Sequence, residues 1–338
     1  MNATTGIEWT DATSNPVKYR DKETGRVVWA CVKHSSGCLN CYAETLALRY
    51  GRGGPFTKAE MAKVEPFVDE KELRQLERSP KLAGKRCFVG DMTDVFGAWV
   101  TDAMLDRLFA TFAVRQDVTF QVLTKRADRM RDYFAGFRTS GLMGDSLQTR
   151  FRDLPDGGTL VWPLNNVWLG VSVENQKAAN ERIPALLRTP AKVRFLSCEP
   201  LLGPVDLRRI CLPAPEPGPL VPVTGHTATV DALTGDTVTS MGLGFAGSRK
   251  VGWVIVGGES GPGSRPFQVE WAKNIVGQCK ATGVACFVKQ IGSQPVTDLG
   301  VKDGSVAHWP HKDRKGATME EWPEAIRVRE FPAPACGE

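Results

Sequence analysis

The sequence predicts an α/β protein built on a full or partial parallel (β/α) barrel. Short apolar runs rich in β-branched and aromatic residues alternate with segments of helical periodicity, the pattern of buried parallel strands joined by helices. The runs lie at residues 87–89, 118–123, 167–171, 193–196, 253–256 and 285–288. With residues 7–9 as a first strand, about seven β/α units result. An open doubly wound sheet is the alternative, although no G-x-G-x-x-G motif follows the first strand.

The segments between the runs each carry one apolar face, as amphipathic helices packed on a sheet do. The residues that share a face are Met104, Leu105, Leu108, Phe109 and Phe112 in one segment, Ile183, Leu186 and Leu187 in another, and Trp271, Ile275 and Val276 in a third.

The rhythm of strands and helices predicts a barrel domain over residues 1–292 and a C-terminal extension over 293–338 packed on it. Two stretches interrupt this rhythm: residues at about 138–164 are rich in Gly and Asp, and residues at about 212–250 are rich in Pro, Gly and Thr. Such composition indicates insertions or mobile loops rather than barrel elements.

Composition is that of a soluble globular protein, with 42% hydrophobic and 24% charged residues among 338. No apolar stretch approaches the roughly 20 residues that span a bilayer, and no signal-peptide pattern opens the chain. We therefore expect a cytoplasmic protein without a membrane partner. The net charge of +5 is too small to decide for or against a nucleic-acid partner.

Three of the nine cysteines fall close together, as Cys31-x6-Cys38-x2-Cys41. In a cytosolic chain such a cluster indicates metal binding rather than disulfides. Three thiolates can hold a [4Fe–4S] cluster with one iron open to chelate S-adenosylmethionine (SAM), and electron transfer then yields a 5′-deoxyadenosyl radical. With His34 the same residues could instead form a Cys3His zinc site, or they could bind no metal. The remaining cysteines, scattered singly, are Cys87, Cys198, Cys211, Cys279, Cys286 and Cys336.

Polar or glycine residues follow almost every predicted strand, and in a β/α barrel these positions face one common mouth. The candidate cofactor-binding residues are Gly90, Asp91, Asp94, Lys125, Arg126, Ser172, Glu174, Glu199, Gly257, Gly258 and Glu259. No catalytic residue is assigned.

The chemistry of these residues suggests their roles. Glycine turns let the backbone approach the amino group, adenine or ribose of SAM. Ser172 and Glu174 could hold ribose hydroxyls, and Lys125 and Arg126 could pair with a carboxylate or phosphate. The alternatives are helix capping for Glu174 and Asp94 and simple tight turns for the glycines.

Six ordered motifs resemble a phage-associated three-cysteine family of unknown function that is grouped with radical SAM barrel proteins. The motifs are GIEWTDAT at 6–13, GCLNCYAE at 37–44, LTKR at 123–126, LGVSVEN at 169–175, LSCEPLL at 196–202 and VGGESG at 256–261. This chain departs from the family in a charged segment at 18–28 and in the length of 212–250.

The resemblance implies a barrel of radical SAM type with a [4Fe–4S] cluster on Cys31, Cys38 and Cys41, SAM as cofactor, and an electron donor such as flavodoxin or ferredoxin. By analogy, a nucleotide or nucleic acid is the expected substrate, in DNA modification or repair. The basic residues Lys125, Arg126, Arg265 and Lys289 fit a phosphate, and they fit the carboxylate of SAM equally well. Two alternatives remain. One is a zinc-stabilised, non-catalytic phage protein for nucleic-acid binding or host takeover, and the other is a radical SAM enzyme acting on a peptide or metabolite.

Overall fold

Seven strands form the main sheet, hydrogen-bonded in the order β1-β5-β6-β7-β8-β13-β15. They are β1 Ala12–Ser14, β5 Arg86–Val89, β6 Thr119–Thr124, β7 Val167–Ser172, β8 Val193–Cys198, β13 Trp253–Gly257 and β15 Ala285–Gln290. The computed structural model describes residues 1–140, 162–212, 228–239, 244–245, 249–298 and 306–333. The pairs β1–β5, β5–β6, β8–β13 and β13–β15 are all parallel. The predicted parallel α/β architecture is confirmed, whereas closure into a full barrel is not.

Helices separate most of these strands, as the periodicity predicts. They are α1 Tyr42–Arg49, α2 Lys58–Ala62, α3 Glu70–Arg78, α4 Asp102–Ala113, α5 Ala127–Ser140, α6 Gln176–Arg188 and α7 Val269–Thr282. The predicted apolar faces bury their side chains: Leu105, Leu108 and Phe109 on α4, for example, are almost completely inaccessible to solvent. No helix in the described ranges is both long and apolar enough to cross a membrane.

The remaining described strands form smaller sheets. The first has the order β3-β2-β4 and consists of β2 Val17–Asp21, β3 Val27–Val28 and β4 Val64–Val68. The second has the order β12-β11-β10-β9 and consists of β9 Ile210–Cys211, β10 Ala228–Val230, β11 Thr237–Thr239 and β12 Gly244–Phe245. The third has the order β14-β16-β17 and consists of β14 Phe267–Gln268, β16 Pro295–Thr297 and β17 Ala307–His308. Apart from β10, β11 and β12, most of the two predicted insertions lies outside the described residues.

The prediction of a first strand at residues 7–9 is wrong, since the first strand of the sheet is β1. The apolar residues at 7–9 belong to a turn closed by a hydrogen bond from the Thr10 amide to the Ile7 carbonyl, at 3.3 Å. Trp9 is buried because its ring packs against Phe88, with centroids 4.7 Å apart. The strand itself has the sequence Ala-Thr-Ser, which carries no apolar run that periodicity could detect.

The chain divides into two compact units, one formed by Met1–Gly170 with Thr189–Lys192 and the other by Val171–Arg188 with Val193–Glu338. The barrel and extension boundaries expected from the sequence stay a prediction.

An aromatic core between α4, α5 and β6 holds the first unit together. Phe112 stacks on Phe120 with centroids 4.1 Å apart, and Phe109 meets Phe134 edge to face at 5.1 Å. Buried aromatic pairs of this kind add about 0.5–1.5 kcal/mol each beyond their buried area. The charged segment at 18–28 belongs to this unit, where β2 pairs with both β3 and β4.

The second unit is organised around β13, which lies between β8 and β15. All five residues of β13 are buried. The C-terminal segment packs against this region, because the Trp253 indole donates to the Glu330 carbonyl at 2.9 Å and the Val288 amide donates to the Val328 carbonyl at 2.8 Å. These bonds fix residues of the segment next to the end of β15.

Candidate functional site

The three clustered cysteines lie on the connection from β3 to α1, in the first unit. Cys31 follows β3, Cys38 ends a short 3-10 turn (Ser36–Cys38), and Cys41 is the N-cap of α1. All three are free, half-buried thiols. Within the described ranges, no three His, Cys, Asp or Glu side chains stand close enough together to hold a metal ion. A shared metal would therefore require these side chains to turn toward one another.

Backbone amides lie near the sulfurs of these cysteines. The His34 amide donates to Cys38 Sγ at 3.4 Å. The amides of Ala43 and Glu44 near Cys41, and of Asp94 near Cys31, act to lower the pKa of those thiols. Hydrogen bonds that point at a sulfur stabilise its charged form, and in iron–sulfur proteins they also tune the cluster.

Burial opposes ionisation of two of the thiols. It raises the pKa of Cys31 to about 12 and also raises the pKa of Cys41. The positive charges of Arg126 near Cys31 and of Lys125 near Cys41 act in the opposite direction. A bound metal would invert this balance, because a coordinating thiol loses its proton. The surroundings therefore favour the thiolate only when a cation is present.

Asp94 ties the cysteine loop (residues 29–41) to the carboxyl ends of β5 and β6. Its carboxylate accepts from the Thr124 hydroxyl at 2.7 Å, the Lys125 amide at 3.0 Å and Arg126 Nη1 at 2.8 Å. Arg126 Nη2 in turn donates to the Val32 carbonyl at 2.9 Å. The guanidinium also lies over the Trp99 ring, 4.8 Å from its centroid. Asp94 and Arg126, both predicted as site residues, thus position the loop that carries Cys31.

Asp91 makes a second tie, to the start of α1. Its carbonyl accepts from the Tyr42 hydroxyl, and its carboxylate accepts from Asn15 Nδ2 at 2.5 Å. Burial raises the pKa of Asp91. Gly90, just before it, has φ +86°, and a Cβ there would lie 2.7 Å from Val95 Cγ1. Gly90 is therefore required by the turn itself.

Sequence reasoning missed four residues that build this region: Asn15, Tyr42, Glu44 and Trp99. Asn15 directly follows β1, so the rule applied to the other strand ends could have found it. Glu44 is buried in the first turn of α1, where it pairs with Lys33 at 2.8 Å and accepts from the Phe56 amide at 2.8 Å. Nothing in the local sequence distinguishes Trp99 as the platform for Arg126.

In the second unit, the predicted carboxylates pair with cations of their own unit. Glu259 forms an ion pair with Arg265 and also accepts from the Arg265 amide at 2.9 Å. Glu199 Oε1 lies 3.2 Å from Lys289 Nζ. The basic residues that the sequence suggested for a phosphate are thus the partners of predicted acidic residues.

Glu174 and Ser172 are both deeply buried. Glu174 Oε2 pairs with Arg182 Nη1 at 2.9 Å, with side chains only 1% and 5% exposed. Arg182 Nη1 also donates to the Ser172 carbonyl at 2.8 Å. This arrangement fixes the end of β7 against α6.

The glycines after β13 are explained by packing against the chain itself. A Cβ on Gly257 would lie 2.7 Å from Glu199 Oε1, and one on Gly258 would lie 2.7 Å from the Ile291 carbonyl oxygen. Gln290 Nε2 donates to the Gly258 carbonyl at 2.9 Å. Neither residue has a positive φ. The close approach at these glycines is to Glu199 and Ile291 of the chain itself, and an approach to SAM stays a prediction.

The sequence matches a family described as "Protein of unknown function (DUF5131)" over residues 4–323. No curated protein and no solved structure matches the chain. Since the match covers nearly the whole chain and contains every predicted site residue, the protein belongs to this uncharacterised family.

Proposed function

We propose that the protein is a radical SAM enzyme in which Cys31, Cys38 and Cys41 hold a [4Fe–4S] cluster, and that it acts on a nucleotide or nucleic acid. The observation that carries the proposal is that the three cysteines share one loop, which Arg126 holds through the Val32 carbonyl at 2.9 Å, with the charges of Arg126 near Cys31 and of Lys125 near Cys41. Positive charge beside a sulfur favours the thiolate, which is the form that binds a cluster. The seven-stranded parallel sheet is compatible with a partial barrel of radical SAM type.

The residues present fit the cluster. The donor set is three thiols, and the residues between the first two include Ser35, Ser36 and Gly37, which are small enough to let the loop wrap a cluster. When bound, the cluster would supply the electron that reductively cleaves SAM. Bringing the three sulfurs together requires rotation of the cysteine side chains. The loop backbone can stay in place during this rotation, because Arg126 holds it at the Val32 carbonyl.

The protein's own residues then do two things. Lys125 and Arg126 place positive charge beside Cys41 and Cys31, which offsets the negative charge of three thiolates. Asp94 keeps Arg126 in place through the ion pair at 2.8 Å. Binding of SAM by the residues at the strand ends stays a prediction, and Gly90, Asp91 and Lys125 are the candidates closest in sequence to these anchors.

Anaerobic purification followed by metal analysis tests the proposal. The wild-type protein should be brown, absorb broadly near ~400 nm, carry about four irons per chain and release 5′-deoxyadenosine from SAM when reduced. Replacing Cys31, Cys38 or Cys41 by Ala should abolish all four properties. The matched control is Cys211→Ala, because Cys211 is an exposed single cysteine and its loss should leave iron content unchanged.

His34→Ala separates the cluster from the zinc alternative. A fourth protein ligand would occupy the iron that SAM needs, so the variant should keep its iron and its SAM cleavage. A colourless protein that binds one zinc and loses it in His34→Ala would overturn the proposal. Four irons and 5′-deoxyadenosine in Cys31→Ala would show that the ligands are wrongly assigned.

A further inference from the structure

A short loop in the second unit presents a dense group of positive charges. We define the basic loop as residues 311–316, with the sequence His-Lys-Asp-Arg-Lys-Gly. Lys312, Arg314 and Lys315 are all exposed, and none forms an ion pair within the described part of the chain. Elsewhere in this unit, Arg182, Arg265 and Lys289 are each paired with a carboxylate. The basic loop thus carries three exposed cations that form no ion pair in the described part of the chain.

Two of the three acidic residues at 311–321, Asp313 and Glu321, bind the backbone of this segment, and the third, Glu320, is exposed. Asp313 accepts from the amides of Lys315 at 3.0 Å, Ala317 at 2.6 Å and Thr318 at 3.1 Å. Hydrogen bonds from these amides, led by Lys315, hold the pKa of Asp313 below its usual range. Glu321 Oε2 accepts from the amides of Lys312 at 2.9 Å and Asp313 at 3.2 Å. These two carboxylates are bound by backbone amides, and the backbone that carries the three exposed cations is thereby held in place.

The basic loop is attached to the carboxyl end of β15. The Ile291 amide donates to the Gly316 carbonyl at 2.9 Å, and the Ser293 hydroxyl donates to the Arg314 carbonyl at 2.5 Å. Ser293 continues the connection to the turn after β13, since its amide donates to the Glu259 carbonyl at 2.8 Å and its hydroxyl oxygen accepts from the Gly261 amide at 2.9 Å. The three cations are therefore held next to the turn that follows β13.

Exposed charges that only keep a protein soluble do not require an ordered backbone, because they interact with water in any conformation. Here five backbone amides are bound to two carboxylates, so the backbone that carries the three cations is ordered. Three cations on one ordered loop match a ligand with several neighbouring anionic groups, as in the phosphodiester backbone of a nucleic acid.

We propose that the basic loop binds the phosphate backbone of a nucleic acid, with Lys312, Arg314 and Lys315 contacting successive phosphates. The inference deepens the proposed function, on which it rests for the class of substrate. Backbone contacts of this type fix the position of a strand without reading its sequence, so base recognition would come from other residues. Binding should then depend steeply on salt, because each phosphate contact releases bound counterions.

The test measures fluorescence anisotropy of labelled oligonucleotides of about 30 nucleotides, as single- and double-stranded DNA and RNA, with the full-length protein at several salt concentrations. The variant Lys312→Gln/Arg314→Gln/Lys315→Gln should bind at least about tenfold more weakly near ~0.1 M salt. The slope of log affinity against log salt should become shallower by about 2 to 3. The matched control is Lys177→Gln/Lys250→Gln/Lys280→Gln, which removes three exposed charges elsewhere in the same unit.

Weaker binding in the loop variant with binding by the control within about twofold of wild type would support the proposal, and preference for one nucleic acid would identify the substrate. Equal losses in the two variants would overturn it, as would a wild-type protein that binds none of the four oligonucleotides. The assay needs neither the cluster nor SAM. Its failure therefore leaves cluster assembly and SAM cleavage to be judged separately, and failure of SAM cleavage does not affect the binding result.

Discussion

The cysteine loop of the first unit and the turn after β13 in the second unit use the same residue types for different purposes. In the first unit, Asp94 and Arg126 bond to each other, and Arg126 also donates to the Val32 carbonyl of the cysteine loop. In the second, Glu259 and Arg265 bond within a single turn. The Asp94–Arg126 pair thus holds a neighbouring loop, whereas the Glu259–Arg265 pair includes a hydrogen bond to the backbone of its own turn.

The largest effect is expected for Glu174→Gln in the second unit, because it leaves the Arg182 guanidinium charged and buried. Breaking a buried pair by removing one charge costs about 3–5 kcal/mol of unfolding free energy. Urea denaturation should show this loss at neutral pH. The double variant Glu174→Gln/Arg182→Met should recover most of it, since the two residues are coupled.

Affinity for SAM in the same double variant tests whether Glu174 also holds the ribose. Unchanged affinity in the refolded double variant would assign Glu174 to structure alone. Strongly reduced affinity at restored stability would instead favour the predicted contact with SAM.

The next largest effect is expected for Asp94→Asn in the first unit. The change removes the partner of Arg126 and weakens the tie to Val32, so we expect a loss of about 2–3 kcal/mol of unfolding free energy. Iron content after reconstitution should also fall severalfold although all three cysteines remain. Asp102→Asn is the control, because the Asp102 side chain is 69% exposed and its pair with Arg129 should contribute less than about 1 kcal/mol. Normal iron content in Asp94→Asn would show that the tie does not position the cysteines.

Glu72 provides a pH-dependent test of the first unit. Burial by itself would raise the pKa of Glu72, but hydrogen bonds from the Met1 ammonium, Lys18, the Asn15 amide and the Ser14 hydroxyl outweigh it and lower the pKa to about 2. A lowered folded pKa stabilises the protein above the unfolded value near ~4.3, and this contribution is lost as pH falls toward the folded pKa. Glu72→Gln should therefore cost about 2 kcal/mol at pH ~7 and progressively less below pH ~4. A stability difference that did not change with pH would contradict the assignment.

The smallest effects are expected at two glycines of the second unit, with opposite signs. Gly258→Ala places a Cβ 2.7 Å from the Ile291 carbonyl oxygen and should lower the stability by about 1–3 kcal/mol. Gly277 lies within α7, and a Cβ there would have nothing within 4 Å. Gly277→Ala should therefore raise the stability by up to about 1 kcal/mol. Melting temperature and SAM affinity measured on one preparation check both. Reduced SAM affinity in folded Gly258→Ala would support the predicted contact between SAM and this turn.

Much of the fold could be predicted from the sequence, because buried parallel strands and amphipathic helices have local signatures. The six apolar runs all became strands of the main sheet, and the faces on α4, α6 and α7 were confirmed. The first strand escaped prediction because Ala12–Ser14 has no apolar pattern and is defined by its pairing with β5. A strand that forms only because a neighbouring strand pairs with it cannot be recognised from its own composition.

The sequence by itself determined the parallel α/β class, the spacing of the three cysteines and the polar residues at the strand ends, since all of these depend on local order along the chain. Only the tertiary structure decided which partners those residues have. Arg126 reaches Val32 across 94 positions, and Glu199 meets Lys289 across the sheet. Gly258 faces Ile291 for the same reason. Such contacts depend on strand order and register, and residues brought together by long-range pairing carry no signal of that pairing in their own neighbourhoods.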